Sequence, residues 1–254
     1  MKVLVLGATG NLGSRLVPAL LTHNHSVVAF VRSSKKLETL LPSTIYQQIH
    51  VVEGDATNST SVKKAILSTD CDAVVSAAGL AAVAPWGKSD LPTIFRAVVE
   101  GVRDAAIERK KPLRTWMMGG QSVLYYPGTE SMLSDYIPIF LEHRQNLKLL
   151  ESLPPNTVEW SMLCPQNMTA ESSDLSLPLQ SARGKLIAKA AAPPEWKDSW
   201  MKSIPLIGKH IVIGSNASRY ETTLEQNADF IASDLENRQS EWIRKAVGVI
   251  DPAK

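Results

Sequence analysis

The chain has 254 residues, with 27 Lys and Arg against 25 Asp and Glu for a formal charge of +2, and 44% of it is hydrophobic. That length and composition suit one α/β domain over residues 1–254, and the near-balanced charge, without a dense lysine run, excludes a nucleic-acid footprint. No apolar stretch reaches the roughly 20 residues of a membrane span, and the short N-terminal apolar run is no secretory signal. Two scattered cysteines, Cys71 and Cys164, form neither a disulfide framework nor a metal site, which points to a reducing, cytoplasmic setting.

The first twelve positions after the initiator, KVLVLGATGNLG and onward, combine a strand with a phosphate-binding turn. Val3 to Leu6 is a continuous run of the kind that a strand buried on both faces requires. Gly7, Gly10 and Gly13 follow in a G-x-x-G-x-x-G spacing. Gly7 suits a tight turn, Gly10 lets backbone approach a pyrophosphate without an intervening Cβ, and Gly13 lets the next helix pack close to the strand. Thr9, Asn11 and Leu12 lie between these glycines and share the cradle, and the helix N-terminus turns N–H groups and a positive dipole end towards the phosphates.

Further along, a helix is predicted over Leu12–Thr22, with Pro18 expected to kink or loosen it. Strands follow at Ser26–Val31 and Val51–Glu53, then a helix at Ser61–Leu67 and a strand at Ala73–Ser76. Asp90-Leu91-Pro92 reads as a helix start, with apolar residues at helical spacing through Ile107. A fifth strand, Thr115–Met118, runs into Gly119-Gly120-Gln121-Ser122 and a loop holding Tyr125 and Tyr126. Pro138 is predicted to open a helix through Leu150, and a sixth strand, Val158–Leu163, ends in Cys164-Pro165-Gln166-Asn167-Met168. Residues 169–222 are crowded with proline and tryptophan and read as a small lid within the domain. The last predicted helices are Thr223–Leu235 and Glu241–Val247. Strand and helix alternate as in a Rossmann-type doubly wound parallel sheet with a small C-terminal substrate region.

Ligands of such sheets bind beyond the carboxyl ends of the strands, so the residues after each strand are the candidates. Arg32 and Ser33, followed by Ser34-Lys35-Lys36, stand where a carboxylate would hold an NAD ribose. Cations and hydroxyls there suit the 2′-phosphate of NADP(H), the alternative being a solvated basic loop. Asp55 and Ala56 suit an adenine, or an ordinary turn. Ala77, Ala78 and Gly79 offer small residues beside a cofactor, and Pro165 flanks it after the sixth strand. Gln121, Tyr125, Asn167 and Met168 are candidates for substrate contact. Trp196 and Trp200, spaced one helical turn apart, would share a face that is either core or an aromatic substrate wall.

GATGNLG, VRSSKK, GDAT, SAAG, GGQS and WSMLCPQNM resemble the atypical short-chain dehydrogenase/reductase group of the NmrA-like and flavin/biliverdin reductase B type, over essentially the whole chain. Within it, EHRQNLKLLES, VEWSMLCPQNM, IPLIG and LEQNADFIASDLE are most similar to fungal averufin-oxidase-like proteins of polyketide pathways. The resemblance implies NADP(H) across the carboxyl edge of the sheet and a substrate cleft under the C-terminal segment. One departure is plain: the helix before the sixth strand lacks the Tyr-x-x-x-Lys pair that many members of the wider superfamily use as acid or base. Ser122, in the position of that superfamily's substrate-polarising serine, and His143, whose ordinary pKa suits proton transfer, are the catalytic candidates; a turn serine and a packing histidine are the alternatives.

The expected function is therefore an NADP(H)-dependent oxidoreductase acting on a small-molecule substrate, an apolar, aromatic, polyketide-like carbonyl or quinone. Two other readings stay open: an NADP(H)-binding sensor or regulator without turnover, and an isomerase or dehydratase on the same fold. No metal, nucleic-acid or membrane partner is expected, and self-association is left open.

Overall fold

The computed structural model describes residues 1–84, 86–175 and 186–253. The first half alternates regularly: β1 (Lys2–Leu6), α1 (Gly13–Thr22), β2 (Ser26–Val31), α2 (Ser34–Leu40), α3 (Ser43–Tyr46), β3 (His50–Glu53), α4 (Ser59–Thr69), β4 (Ala73–Ser76) and α5 (Leu91–Arg109). The second half holds β5 (Leu113–Met118), α6 (Leu133–Tyr136), α7 (Glu142–Glu151), β6 (Val158–Leu163), β7 (Asn167–Thr169), β8 (Ile187–Ala190), α8 (Gly208–Ala217), β9 (Glu221–Thr223), α9 (Leu224–Asp234) and β10 (Lys245–Ile250). Eight strands form one sheet in the order β3-β2-β1-β4-β5-β6-β10-β8. All its neighbours run parallel except β8, which is antiparallel to β10. The fold is Rossmann-like.

Strand alternation divides the core into two layers. In β1, Leu4 and Leu6 face one side with Val28, Phe30 and Val74, under α4, α5 and α7. Val3 and Val5 face the other side with Val27, Ala29 and Val75, under α1 and α9. All four β1 side chains are fully buried, which is why the run reads as continuously apolar. A buried ion pair links the sheet to the last helix: Arg114 on β5 meets Asp234 at the end of α9 at 2.6 Å, and Trp116 Nε1 donates to the same carboxylate at 2.9 Å.

Several expectations change. Helix α1 runs through Pro18 without a break. The helix expected from Pro138 begins only at Glu142, because Phe140 adopts a left-handed φ of 52° that no helix continues through. Residues from Glu241 onward do not form a helix; Arg244 turns at φ 59°, and the apolar Ala246–Ile250 run becomes the buried strand β10 beside β6. Trp196 and Trp200 share no helix: Trp196 lies in irregular chain and Trp200 opens a short 3-10 turn over Trp200–Ser203. The expected lid over residues 169–222 is framed by the β7–β9 pair and carries β8 and α8, while its residues 176–185 lie outside the described residues.

Candidate functional site

In the strand order, the chain leaves β1 towards β2 on one side and reaches β4 on the other, so β1 and β4 flank a crevice at their carboxyl ends. A cavity of about 1100 Å³ occupies that crevice and continues past β5 and β6. The volume exceeds the roughly 300–1,000 Å³ of an ordinary small-molecule pocket, as a dinucleotide with a second ligand requires.

One end is built from the β1–α1 turn. Gly7 has φ 81°, and a Cβ there would come within 2.8 Å of the Ala77 backbone. At Gly13 a Cβ would lie 2.0 Å from Gly7 O, so this glycine serves the helix–strand contact and does not line the cavity. Gly10 differs: a Cβ would meet only Gly7 O, at 3.2 Å, and the residue faces the cavity. The backbone N–H groups of Asn11, Leu12 and Gly13 have no backbone partner among the described residues, and α1 carries no side-chain cap and no acidic residue in its first turn. Such a turn has the free donors that an anion cradle needs, and it fits a pyrophosphate.

Thr9, Asn11 and Leu12 line this end with Gly7 and Gly10. Arg32 and Lys36 border it beyond β2, and neither makes an ion pair or side-chain hydrogen bond among the described residues. Of the two lysines that the sequence offered after Arg32, Lys36 reaches the cavity lining and Lys35 does not. Ser33 does not reach the cavity; it caps α2, its hydroxyl accepting from Lys36 N at 3.3 Å. Asp55 and Ala56 line the wall past β3. The Thr57 N–H donates to Asp55 at 2.9 Å and holds its carboxyl below the usual range, with a smaller contribution from Arg32.

The other end is apolar. Ala77, Ala78 and Gly79 line it after β4, Gln121 and Ser122 after β5, and Pro165, Asn167 and Met168 after β6. Side chains that the sequence did not single out complete the walls: Leu133, Ile137 and Phe140 around α6, and Ile213 from α8. Trp196 joins them, packed edge-on to Tyr126 at 5.4 Å. Tyr125 and Trp200 do not. Tyr125 is tied into the loop by its N–H to Ala191 O at 2.8 Å, and Trp200 is 78% exposed away from the cavity. Tyr220 reaches the wall, but its hydroxyl donates to Pro194 O at 2.6 Å and burial pushes its pKa up to about 12, so it cannot serve as a neutral-pH acid.

Ser122 and His143 meet at this end. A Cβ on Gly120 would lie 3.2 Å from His143 Nε2 and 3.8 Å from Ser122 Oγ. Both side chains line the cavity, and Ser122 Oγ and His143 Nδ1 are buried with no hydrogen-bond partner among the described residues. Glu142, the residue before the histidine, anchors the loop after β4: its carboxylate accepts from Ala82 N at 2.9 Å, Ser89 N at 3.1 Å and Ser89 Oγ at 2.8 Å. Burial lowers the His143 pKa to about 4, against a weaker opposing pull from Glu142. The ring is therefore neutral at pH 7, and the expectation of a histidine titrating near neutrality is corrected. Desolvation of the imidazolium outweighs the adjacent charge.

That shift sets a pH dependence of stability. The unfolded ring takes a proton at about 6.5 and the folded ring only at about 4, so between these values the unfolded chain binds more protons. The contribution is full above about pH 6.5 and is lost as the pH falls to about 4, a difference of about 3 kcal/mol. His25, also lowered mainly by burial, acts with the same sign. Denaturant midpoints of wild type and His143→Gln at about pH 7 and about pH 4.5 should converge on acidification, whereas parallel pH dependences would refute the buried neutral ring.

Among the described residues no cluster of His, Cys, Asp and Glu is arranged to hold a metal ion, and no helix is long and apolar enough to cross a membrane. Similar folds occur in a Lactobacillus casei protein, 18% identical over 99% of each chain with a TM-score of 0.65. A short-chain dehydrogenase/reductase from Veillonella parvula in complex with NADP is 14% identical over 99% of this chain and 94% of that one, with a TM-score of 0.61. ChuY, an anaerobillin reductase from Escherichia coli O157:H7, is 16% identical over 100% and 98% of the two chains, with a TM-score of 0.61. At these identities the likeness is one of fold. No protein of curated function matches the chain significantly. The profile of a family described as NAD(P)H-binding matches residues 7–186, from the first glycine of the anion cradle through the strands that wall the cavity, and the chain belongs to that NAD(P)H-binding family.

Proposed function

We propose that the protein is an NADPH-dependent oxidoreductase acting on an uncharged, apolar and aromatic carbonyl or quinone of polyketide type. One observation carries this reading: a single cavity joins a glycine turn with two cations unpaired among the described residues, Arg32 and Lys36, to a largely apolar chamber that is also lined by Ser122 and His143, each with a buried polar atom that has no partner among the described residues. A bound reduced nicotinamide supplies a hydride. The chain's own part is to hold the acceptor carbon against it, to exclude water with Leu133, Ile137, Phe140 and Trp196, and to meet the acceptor oxygen with Ser122 and His143. The motifs similar to averufin-oxidase-like proteins support the polyketide assignment.

Incubating the purified protein with NADPH and panels of quinones, anthraquinones and flavins, while following cofactor absorbance and product mass together, tests the proposal. Cofactor oxidation with a matching mass change supports it. Binding without turnover gives the sensor reading, which the buried, neutral ring of His143 favours. A mass change without cofactor oxidation gives the isomerase or dehydratase.

The NADPH preference has its own test. Removing one charge-assisted contact to the 2′-phosphate costs about 1.5–3 kcal/mol, or roughly one to two decades of affinity. Calorimetry should find NADPH bound more tightly than NADH by wild type, and that margin reduced by one to two decades in Arg32→Ala. Equal affinities in wild type would end the assignment.

A further inference from the structure

Glu142 does not line the cavity, yet it ties two of the cavity's walls together. It stands in the first turn of α7, and its carboxylate accepts three hydrogen bonds from the loop between β4 and α5: from Ala82 N at 2.9 Å, Ser89 N at 3.1 Å and Ser89 Oγ at 2.8 Å. The Ser89 hydroxyl in turn accepts from Leu91 N at 3.1 Å, at the start of α5. Two residues before Glu142, Phe140 N donates to Val83 O at 3.3 Å. The loop after β4 is thus fixed near both of its ends to the head of α7. The two segments joined in this way carry Leu80 and Ile139, apolar side chains that line the cavity and are nevertheless 86% and 37% exposed. Apolar groups that border a cavity and remain open to water gain by being covered with an apolar ligand.

We propose that Glu142 is a positioning residue for the substrate: its carboxylate clasps the β4–α5 loop to α7 and so sets the mouth of the apolar chamber, where Leu80 and Ile139 contact the outer part of a substrate whose reacting oxygen meets Ser122 and His143. The clasp asks for a carboxylate. Its partners are all donors, and an ionised carboxylate only accepts, whereas an amide in its place turns an –NH2 donor towards at least one of them. A part-buried N–H or O–H left without an acceptor favours an open loop, in which water answers it. Because His143 follows Glu142 in α7, the clasp also keeps the mouth in register with the ring. The substrate so selected is extended, and apolar at the end remote from its reacting carbonyl. That use rests on the oxidoreductase reading; the clasp itself does not.

Amide hydrogen exchange, read by NMR on the full chain without cofactor or substrate, tests the clasp. Glu142→Gln should speed exchange at Ala82 and Ser89 by about ten-fold or more while the amides of β1 and β4 keep their wild-type rates, and Glu142→Asp, which keeps the acceptor, should recover part of the loss. Unchanged exchange at both positions in Glu142→Gln would overturn the proposal. If that variant fails to fold, Ser89→Ala serves instead: the carboxylate loses one donor and Leu91 its acceptor, so the amide of residue 89 should exchange several-fold faster, and wild-type protection there would equally overturn it. Steady-state kinetics with NADPH and the quinone that wild type reduces then test the use. Glu142→Gln, and separately Leu80→Ser, should raise KM for the quinone by about ten-fold with kcat within about two-fold and NADPH affinity unchanged. A loss confined to kcat, or an unaltered KM, would overturn the role at the mouth. A wild type that reduces no quinone would end the oxidoreductase reading and leave the exchange rates to decide the clasp, whereas turnover with unaltered exchange would end the clasp alone.

Discussion

Gly10→Val should bind NADPH at least about a thousand-fold more weakly than wild type while keeping its far-ultraviolet spectrum and most of its stability. The three glycines of the turn are not equivalent. Gly7, at φ 81° and against the Ala77 backbone, and Gly13, whose Cβ would lie 2.0 Å from Gly7 O, answer to the fold. Gly10 has no such backbone obstacle beyond one 3.2 Å contact, and its open side is the cradle where unpaired N–H groups face the cavity. A valine there fills the space that an anion must approach, at modest cost to the chain. Calorimetry with NADPH and a denaturant titration separate the two effects, and normal binding by a folded variant would show that this turn does not cradle the phosphates. Gly13→Ala is the contrasting variant, in which stability itself should fall.

Ser122→Ala and His143→Ala should each lower kcat/KM by roughly two decades with NADPH affinity nearly unchanged. Both groups border one point near Gly120, and neither belongs to the phosphate end of the cavity. The pH profile distinguishes how the histidine works. With a pKa of about 4 the ring is neutral across the physiological range, so wild-type kcat/KM should show no limb near neutrality and should fall only as the pH approaches about 4. A limb near pH 7 that disappears in His143→Ala would restore the imidazolium as proton donor and refute the neutral ring. A severe loss in Ser122→Ala with a mild one in His143→Ala would assign the oxygen to the serine, with the proton coming from water.

Local signals carried far in this chain where one element contained its own reason. The β1 run, the glycine turn and the strands at Ser26–Val31 and Ala73–Ser76 were legible because burial on both faces leaves a nearly continuous apolar run, while Val158–Leu163 kept a strand pattern despite Glu159 and Ser161. The C-terminal strand was not, since Glu241 to Val247 has helical spacing and only pairing between β6 and β8 makes its latter part a strand. Tryptophan spacing failed at Trp196 and Trp200 for the same reason: a shared face presupposes a helix, and the chain there is irregular.

By itself, then, the amino-acid sequence determined the alternating α/β architecture, the glycine turn after β1 and the positive charge at the end of β2, because each depends on neighbours within a few residues. The tertiary structure alone decided which candidates share a cavity, turning Ser33 into a helix cap and leaving Trp200 and Tyr125 outside while admitting Lys36, Phe140 and Ile213. It also decided the protonation of His143. An imidazole's ordinary pKa can be read from its residue type, but its desolvation comes from burial, with Gly120 and Phe140 beside the ring, which only folding brings about.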